Sequence, residues 1–318
     1  MSLVRPNAVV TLSGQNYSAA EGAILHLRAS LTVRGSHDSI SVALWPSSKL
    51  ASAAVGAQMS VALGDRGNET DLWSGEAVAI EFRPDAVVIS GLAATIALSR
   101  TRVSQTYLDQ SVADIVRHLA SSVDTDEIQG DLDLPAYTVD DRRPVWSHLL
   151  DLASMSGAEL GASAAGALRF VPVPAGSAEI TLRHGAEVLA WATAAQAVPD
   201  SPAVAAYGAA SEEGADQWHW LLSSPAPQGS GPFTRIEPAA RTRDAAGAIA
   251  QTLAGRASRA GAYGHVGLVG RADIRPGSLV AISGLPHDPG TLHVLAVDHL
   301  LDPRVGFVTI LTVEGAST

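Results

Sequence analysis

Apolar and polar positions alternate through much of the first hundred residues. Ile24, His26, Arg28 and Ser30 oppose Leu25, Leu27, Ala29 and Leu31, the period of two expected of a strand with one buried face. Glu76 to Phe82 alternates in the same way, with Val78, Ile80 and Phe82 on one face. Arg83-Pro84-Asp85 then supplies a turn, and Val87 and Ile89 resume the pattern before Gly91. Two alternating runs across such a turn predict a hairpin. Turn residues recur about every ten positions, the spacing of a barrel or sandwich.

The period changes after Ser104. Val112, Ile115, Val116 and Leu119 lie at helical offsets, and Ser111 with Asp114 makes a start resembling a capping box. An acidic stretch, Asp124 to Asp133, follows. A second helix is predicted to open near Pro144, to carry Trp146, Leu149, Leu150 and Ala153 on one face, and to stop at Gly157. Leu168 to Val173 reads as a strand ending in the breakers Pro172 and Pro174. The segment 105–173 is therefore expected to be a small α/β unit between β-rich regions.

The last third returns to strands with one helix. Ala246, Ile249, Ala250, Leu253 and Ala257 mark a helix near 243–260, with Thr242 as N-cap. Leu279 to Ile282, Leu292 to Leu300 and Phe307 to Val313 read as strands, the last two flanking a hairpin loop over 302–306. Residues 199–232 are rich in Pro, Ser, Gly and Ala and predict an exposed loop.

Composition narrows the function classes. The 318 residues suffice for two ordinary domains or one large one. Hydrophobic residues make up 47% but aromatics only 5%, with 29 Gly and 17 Pro, which fits many short strands joined by turns. The net charge of −11 argues against gripping nucleic acid or an anionic membrane. The absence of cysteine excludes disulfides, thiolate nucleophiles, iron–sulfur clusters and Cys-based zinc sites. Met1 to Val10 lacks the apolar core of a signal peptide, and no apolar run approaches the roughly 20 residues of a membrane span.

Candidate chemistry is sparse. His287, His293, Asp298 and His299 are the most metal-like group. On one strand, however, His293 and His299 would share a face about 20 Å apart and Asp298 would oppose them, so no metal is expected. The acids Asp124, Asp126, Glu127, Asp131 and Asp133 fail the calcium-loop pattern, because Ile128 stands where an oxygen ligand is needed. Gly264, Gly267 and Gly270 are not followed by the Lys of a phosphate loop, and Ser163 between Gly161 and Gly166 is wrongly spaced for a nucleophile elbow. Glu76, Glu81, Asp151 and Glu159 are the acids available for glycoside cleavage, and Trp218-His219-Trp220 could stack on sugars. From these residues no catalytic, cofactor-binding or metal-binding position is predicted, and the expectation is a protein that is not an enzyme.

Three stretches resemble a known family. The first runs from Ser99-Arg100-Thr101-Arg102 through Tyr107 to Arg117. The second runs from Tyr137 to Ala153, continues with Gly157-Ala158-Glu159-Leu160, and ends in the strand Ala167 to Pro172. The third runs from Ile274-Arg275-Pro276-Gly277 through Gly290 to His299, then Gly306-Phe307-Val308-Thr309. In order and spacing they resemble the tail hub proteins of phage tails and contractile injection systems. That group includes the phage late control protein D family and the hub part of type VI spike proteins.

The resemblance implies a mainly β fold with a smaller α/β part. Two tube-type β-barrel domains, 1–104 and 174–318, would flank a helix-containing insertion at 105–173. It implies a structural baseplate hub without catalytic residues or cofactors, a virion or particle component synthesised and assembled in the bacterial cytoplasm. The expected partners are two further copies in a trimeric pseudo-sixfold ring, a hexameric inner tube, a trimeric spike and other baseplate components, with no nucleic acid and no membrane insertion. Because the chain reaches Thr318 soon after its last predicted strand, the spike is expected to be a separate protein. A carbohydrate-binding or glycoside-cleaving β-protein, motivated by Trp218, Trp220 and the scattered acids, is the alternative.

Overall fold

The computed structural model describes residues 5–12, 14–19, 24–206 and 226–317. The fold is mainly β. Its first part comprises β1 (Pro6–Leu12), β2 (Gln15–Ser18), β3 (Ile24–Thr32), β4 (Ser39–Leu44), β5 (Gln58–Asp65), β6 (Asn68–Phe82) and β7 (Val87–Ala93). They pair antiparallel in the order β3-β4-β7-β6-β5-β1-β2. Val10, Leu27, Leu31, Val42, Val61, Trp73 and Ile89 point into one apolar cluster. The predicted β6–β7 hairpin forms, closed by an Arg83 N–H to Ala86 C=O bond of 2.8 Å.

Bulges revise the faces read from the alternation. In β3 the register skips Leu25, so Ile24 and Leu27 are both buried. In β6 it skips Val78, so Ala77 and Ile80 share the inward side, while Phe82 projects 73% exposed at the end of the strand. One extra residue reverses the parity of everything beyond it.

Gly91 in β7 is placed by close packing. A Cβ there would stand 2.7 Å from Trp73 Cη2 and 2.8 Å from Ile40 Cγ2. Gly91→Ala is therefore expected to cost about 1–3 kcal/mol by overpacking, read as a lower urea midpoint.

The middle part holds α1 (Ile96–Arg100), β8 (Gln105–Ser111), α2 (Val112–Leu119), β9 (Thr125–Ile128), β10 (Asp133–Val139), α3 (Val145–Ser156), β11 (Ala158–Ala162) and β12 (Leu168–Pro172). Helices α2 and α3 begin and end as the sequence predicts, whereas the short α1 is not among the predicted elements. The Ser111 hydroxyl accepts the Asp114 N–H, and Gly157 closes α3 with φ of 70°. Val112, Ile115, Leu149, Leu152 and Phe170 build a second apolar cluster.

The last part contains β13 (Ile180–Arg183), β14 (Val188–Ala195), β15 (Ala203–Ala206), β16 (Thr234–Glu237), α4 (Arg243–Arg259), β17 (Ala262–Val269), β18 (Leu279–Ser283), β19 (Leu292–Asp302) and β20 (Gly306–Gly315). Of the exposed loop expected over 199–232, residues 207–225 lie outside the described residues, and within the described part β15 is instead a buried strand paired with β16. This Ala-rich run packs against α4. With α4 it places Val204, Ala206, Ala246 and Ile249 in the middle cluster, although both elements lie late in the chain. The remaining strands enclose a third cluster around Val266, Val280, Val294, Val297 and Leu311.

The two β-rich parts are one hydrogen-bonded sheet. β19 pairs along its length with β20, while its other edge pairs first with β18 at Leu292 and His293, then with β3 from Ala296 to Leu301. The 13-stranded order is β14-β17-β20-β19-β3-β4-β7-β6-β5-β1-β2, with β18 and β13 branching from β19. Close approach of β1 to β19 across this order shows that the first half curls around its cluster. Phe307, near the β19–β20 turn, packs into the first cluster, whereas Leu311 and Val313 pack into the third.

Candidate functional site

Buried polar side chains gather where the three parts meet. The connection between β3 and β4, residues 33–38, forms one side of this junction. Trp146 of α3 donates its indole N–H to Gly35 C=O at 2.8 Å and lies against the His37 ring, centroids 4.1 Å apart. His37 is further fixed by Thr95 Oγ1 at 3.0 Å and Ser99 Oγ at 2.6 Å. Burial, assisted by Arg100, pushes its pKa down to about 4, so at neutral pH it is an uncharged bridge.

The second side is ionic. His293 Nε2 lies 2.5 Å from Glu159 Oε1 of β11, and its Nδ1 lies 3.3 Å from Glu314 Oε1 of β20. Arg259, at the end of α4, donates to the same Glu314 oxygen at 3.0 Å, while Arg34 reaches 4.0 Å from the other. His293 is 1% exposed because β11 and α4 cover the outer face of β19 at this end. Burial by itself would lower the His293 pKa, but Glu159 and Glu314 outweigh it and the net shift is upward. For Glu314 burial works upward, yet His293 and Arg259 prevail and hold it below the usual carboxylate range.

The third side lies between the first part and the loop before β18. Asp38 accepts the Thr32 N–H at 2.8 Å, and burial pushes its pKa up to about 7 against the opposing effects of that bond and of Arg275. Arg275 donates to Leu72 C=O at 2.9 Å. A void of about 10 Å³ lined by Asp38, Glu159, Arg169 and Arg275 separates the two ionic sides.

The histidine group weighed for a metal is spread along the fold. Among the described residues no three His, Cys, Asp or Glu side chains are arranged to hold a metal ion. His287 sits in an exposed loop. The register skips Leu295 between Val294 and Ala296, so His293 and His299 face opposite sides of β19 rather than sharing one. Asp298 opposes only His299, and bonds with Ser30 and with Arg28 at 3.1 Å on the outer face. His299 is fully buried, with Nδ1 3.0 Å from Thr309 Oγ1 and its ring 5.9 Å from Phe307. Burial pushes its pKa down to about 4.

Three of the acids weighed for glycoside chemistry are held by arginines, Glu76 by Arg100 at 2.6 Å, Glu81 by Arg83 at 2.8 Å and Asp151 by Arg143 at 2.7 Å, and Glu159 lies against His293. Trp218, His219 and Trp220 lie outside the described residues. The acidic stretch is partly a strand, β9, with Asp126 and Glu127 near Arg169. Asp131 and Asp133 border a cleft of about 850 Å³ between the middle part and α4. The glycines Gly264 and Gly267 stand inside β17, where the neighbouring β14 backbone approaches closely at Gly264.

The sequence offers Glu159 as one acid among several, places Glu159 and Arg275 within the family-like stretches, and gives no site role to Glu314, Arg259, Asp38 or Arg275. The usable signal was Glu314 directly after the strand run Phe307 to Val313, since a carboxylate placed at the end of a core strand needs a cation. As arranged, the junction neutralises charges across the boundaries between parts, which makes it an organiser of their relative position.

No family model and no curated protein sequence matches the chain. Solved structures do. The 43 kDa tail protein of prophage MuSo2 from Shewanella oneidensis matches with a TM-score of 0.71 at 12% identity, over 97% of this chain and 98% of its own. The tail protein from Neisseria meningitidis MC58 gives 0.72 at 13%, over 98% and 96%. An Escherichia coli component of the type VI secretion system, itself structurally similar to the T4 tail proteins gp27 and gp5, gives 0.63 at 11%, over 97% and 77%. The chain has the fold of these phage-tail and type VI secretion proteins, and shares it with the two phage-tail proteins at almost full length.

Proposed function

We propose that this protein is a structural component of a phage tail or tail-like contractile injection system, the baseplate hub. Three copies form a pseudo-sixfold ring that adapts a hexameric inner tube to a trimeric spike. One observation carries the reading: two sheet halves with separate cores are joined through β3 and β19 in a fold shared along its length with phage tail proteins. Two β units per chain supply six around a threefold axis, which is what joining three to six requires. Among the described residues the outermost strands β2 and β14 each have one ladder partner, and pairing with neighbouring copies would cover those edges. The role is architectural, with assembly in the bacterial cytoplasm.

Co-expression with candidate tube and spike proteins, followed by native mass measurement, tests this reading. The expected particle holds three copies of the chain per spike trimer. A chain that stays monomeric with both partners present would overturn it.

A further inference from the structure

We propose that Glu159, His293, Glu314 and Arg259 form a protonation-controlled clasp that locks the middle part and α4 onto the outer face of the second sheet half. It is closed while His293 carries a proton and loosened when that proton leaves. This device is independent of the hub role, because it rests on contacts within one chain.

Four elements contribute one group each: β11 gives Glu159, β19 His293, β20 Glu314 and α4 Arg259. With His293 protonated, two carboxylates face two cations and the cluster is neutral. The other charged groups in reach are Arg34 on the β3–β4 connection and Arg256 on α4, which border the same cavity. Arg169, Arg275 and Asp38 lie beyond Glu159 around the smaller void. Across the ladder from His293, β18 presents Leu279, which carries no charge.

Deprotonation changes this balance at one point. Glu314 keeps Arg259 at 3.0 Å. Glu159 loses its contacting cation while its side chain is only 6% exposed, and an unpaired buried carboxylate is strongly unfavourable. Glu159 itself lines the adjoining cavity of about 160 Å³, which has room for several waters; drawing β11 away from β19 lets that water reach the buried carboxylate. The sign follows from the upward shift of His293. Its contribution to closure is complete below the ordinary histidine value of 6.5 and is lost as pH rises through the higher folded value.

Hydrogen-exchange protection factors on the full chain, corrected for intrinsic exchange rates, test the clasp between pH 6 and 9. Protection of β11 and the last turns of α4 is expected to fall at least about tenfold as pH rises, while β4 and β7 stay protected. His293→Gln is expected to show the low protection at every pH. His293→Gln combined with Glu159→Gln removes the stranded carboxylate together with the cation it faced and is expected to restore protection at every pH. Wild-type protection that does not change with pH would overturn the proposal, as would a double variant no better protected than His293→Gln. If the single variant fails to fold, the wild-type titration and the double variant still decide.

Discussion

Trp146→Ala is expected to lower stability by about 3–5 kcal/mol, the usual cost of deleting a large buried aromatic. The loss goes beyond a cavity in the middle core. Trp146 is 5% exposed, packs among the residues of α2 and α3, and donates to Gly35 C=O on the connection leaving β3. The same indole supports the His37 ring, which Thr95 and Ser99 hold from the other side. Truncation thus unpins the sheet from the helices as well as hollowing a core. Urea unfolding followed by far-ultraviolet dichroism measures the effect. Trp146→Phe keeps most of the volume and gives up the N–H bond, so it should cost about 1 kcal/mol plus whatever the unpaired carbonyl adds. An alanine variant within 1 kcal/mol of wild type would show that this connection is not held by the helix.

What was readable in the sequence depended on how local the determinant is. The stripe on α2 and the Ser111 cap lie within one short segment and agree with each other, so helix and boundary followed together. The β6–β7 and β19–β20 hairpins were readable for the same reason: two runs and a turn are contiguous. Bulges broke this logic. Nothing in the composition around Leu25, Val78 or Leu295 marks the extra residue, yet each one reassigns faces, and the one at Leu295 separates His293 from His299. β9 was missed because Thr125–Ile128 is polar and owes its strand form to parallel pairing with β12. The β3–β19 seam joins segments some 270 residues apart, set by packing rather than by any local pattern. The ionic junction has the same origin, since Glu159, His293, Glu314 and Arg259 meet only after all three parts have formed.

Asp38→Asn is expected to stabilise the protein increasingly as pH rises, by up to about 4 kcal/mol between pH 4 and 7. Asp38 is buried, between the β3 backbone that donates to it at 2.8 Å and Arg275. Its pKa rises from 3.8 to about 7, a difference worth about 4 kcal/mol. A carboxyl with a raised folded value gives its full contribution below the unfolded value of 3.8. That contribution declines as pH climbs toward 7, because the unfolded chain releases the proton first. Asparagine matches the protonated acid in shape, keeps an oxygen to accept the Thr32 N–H, and has no charge to bury. The difference in unfolding free energy between variant and wild type should therefore grow from pH 4 to 7 and level off above it. A difference independent of pH would mean that Asp38 is ionised in the fold and that Arg275 serves as its counterion. Arg275→Met separates these cases: beside a neutral Asp38 it costs the Leu72 carbonyl bond, whereas beside an ionised one it strands a buried carboxylate and costs several kcal/mol more.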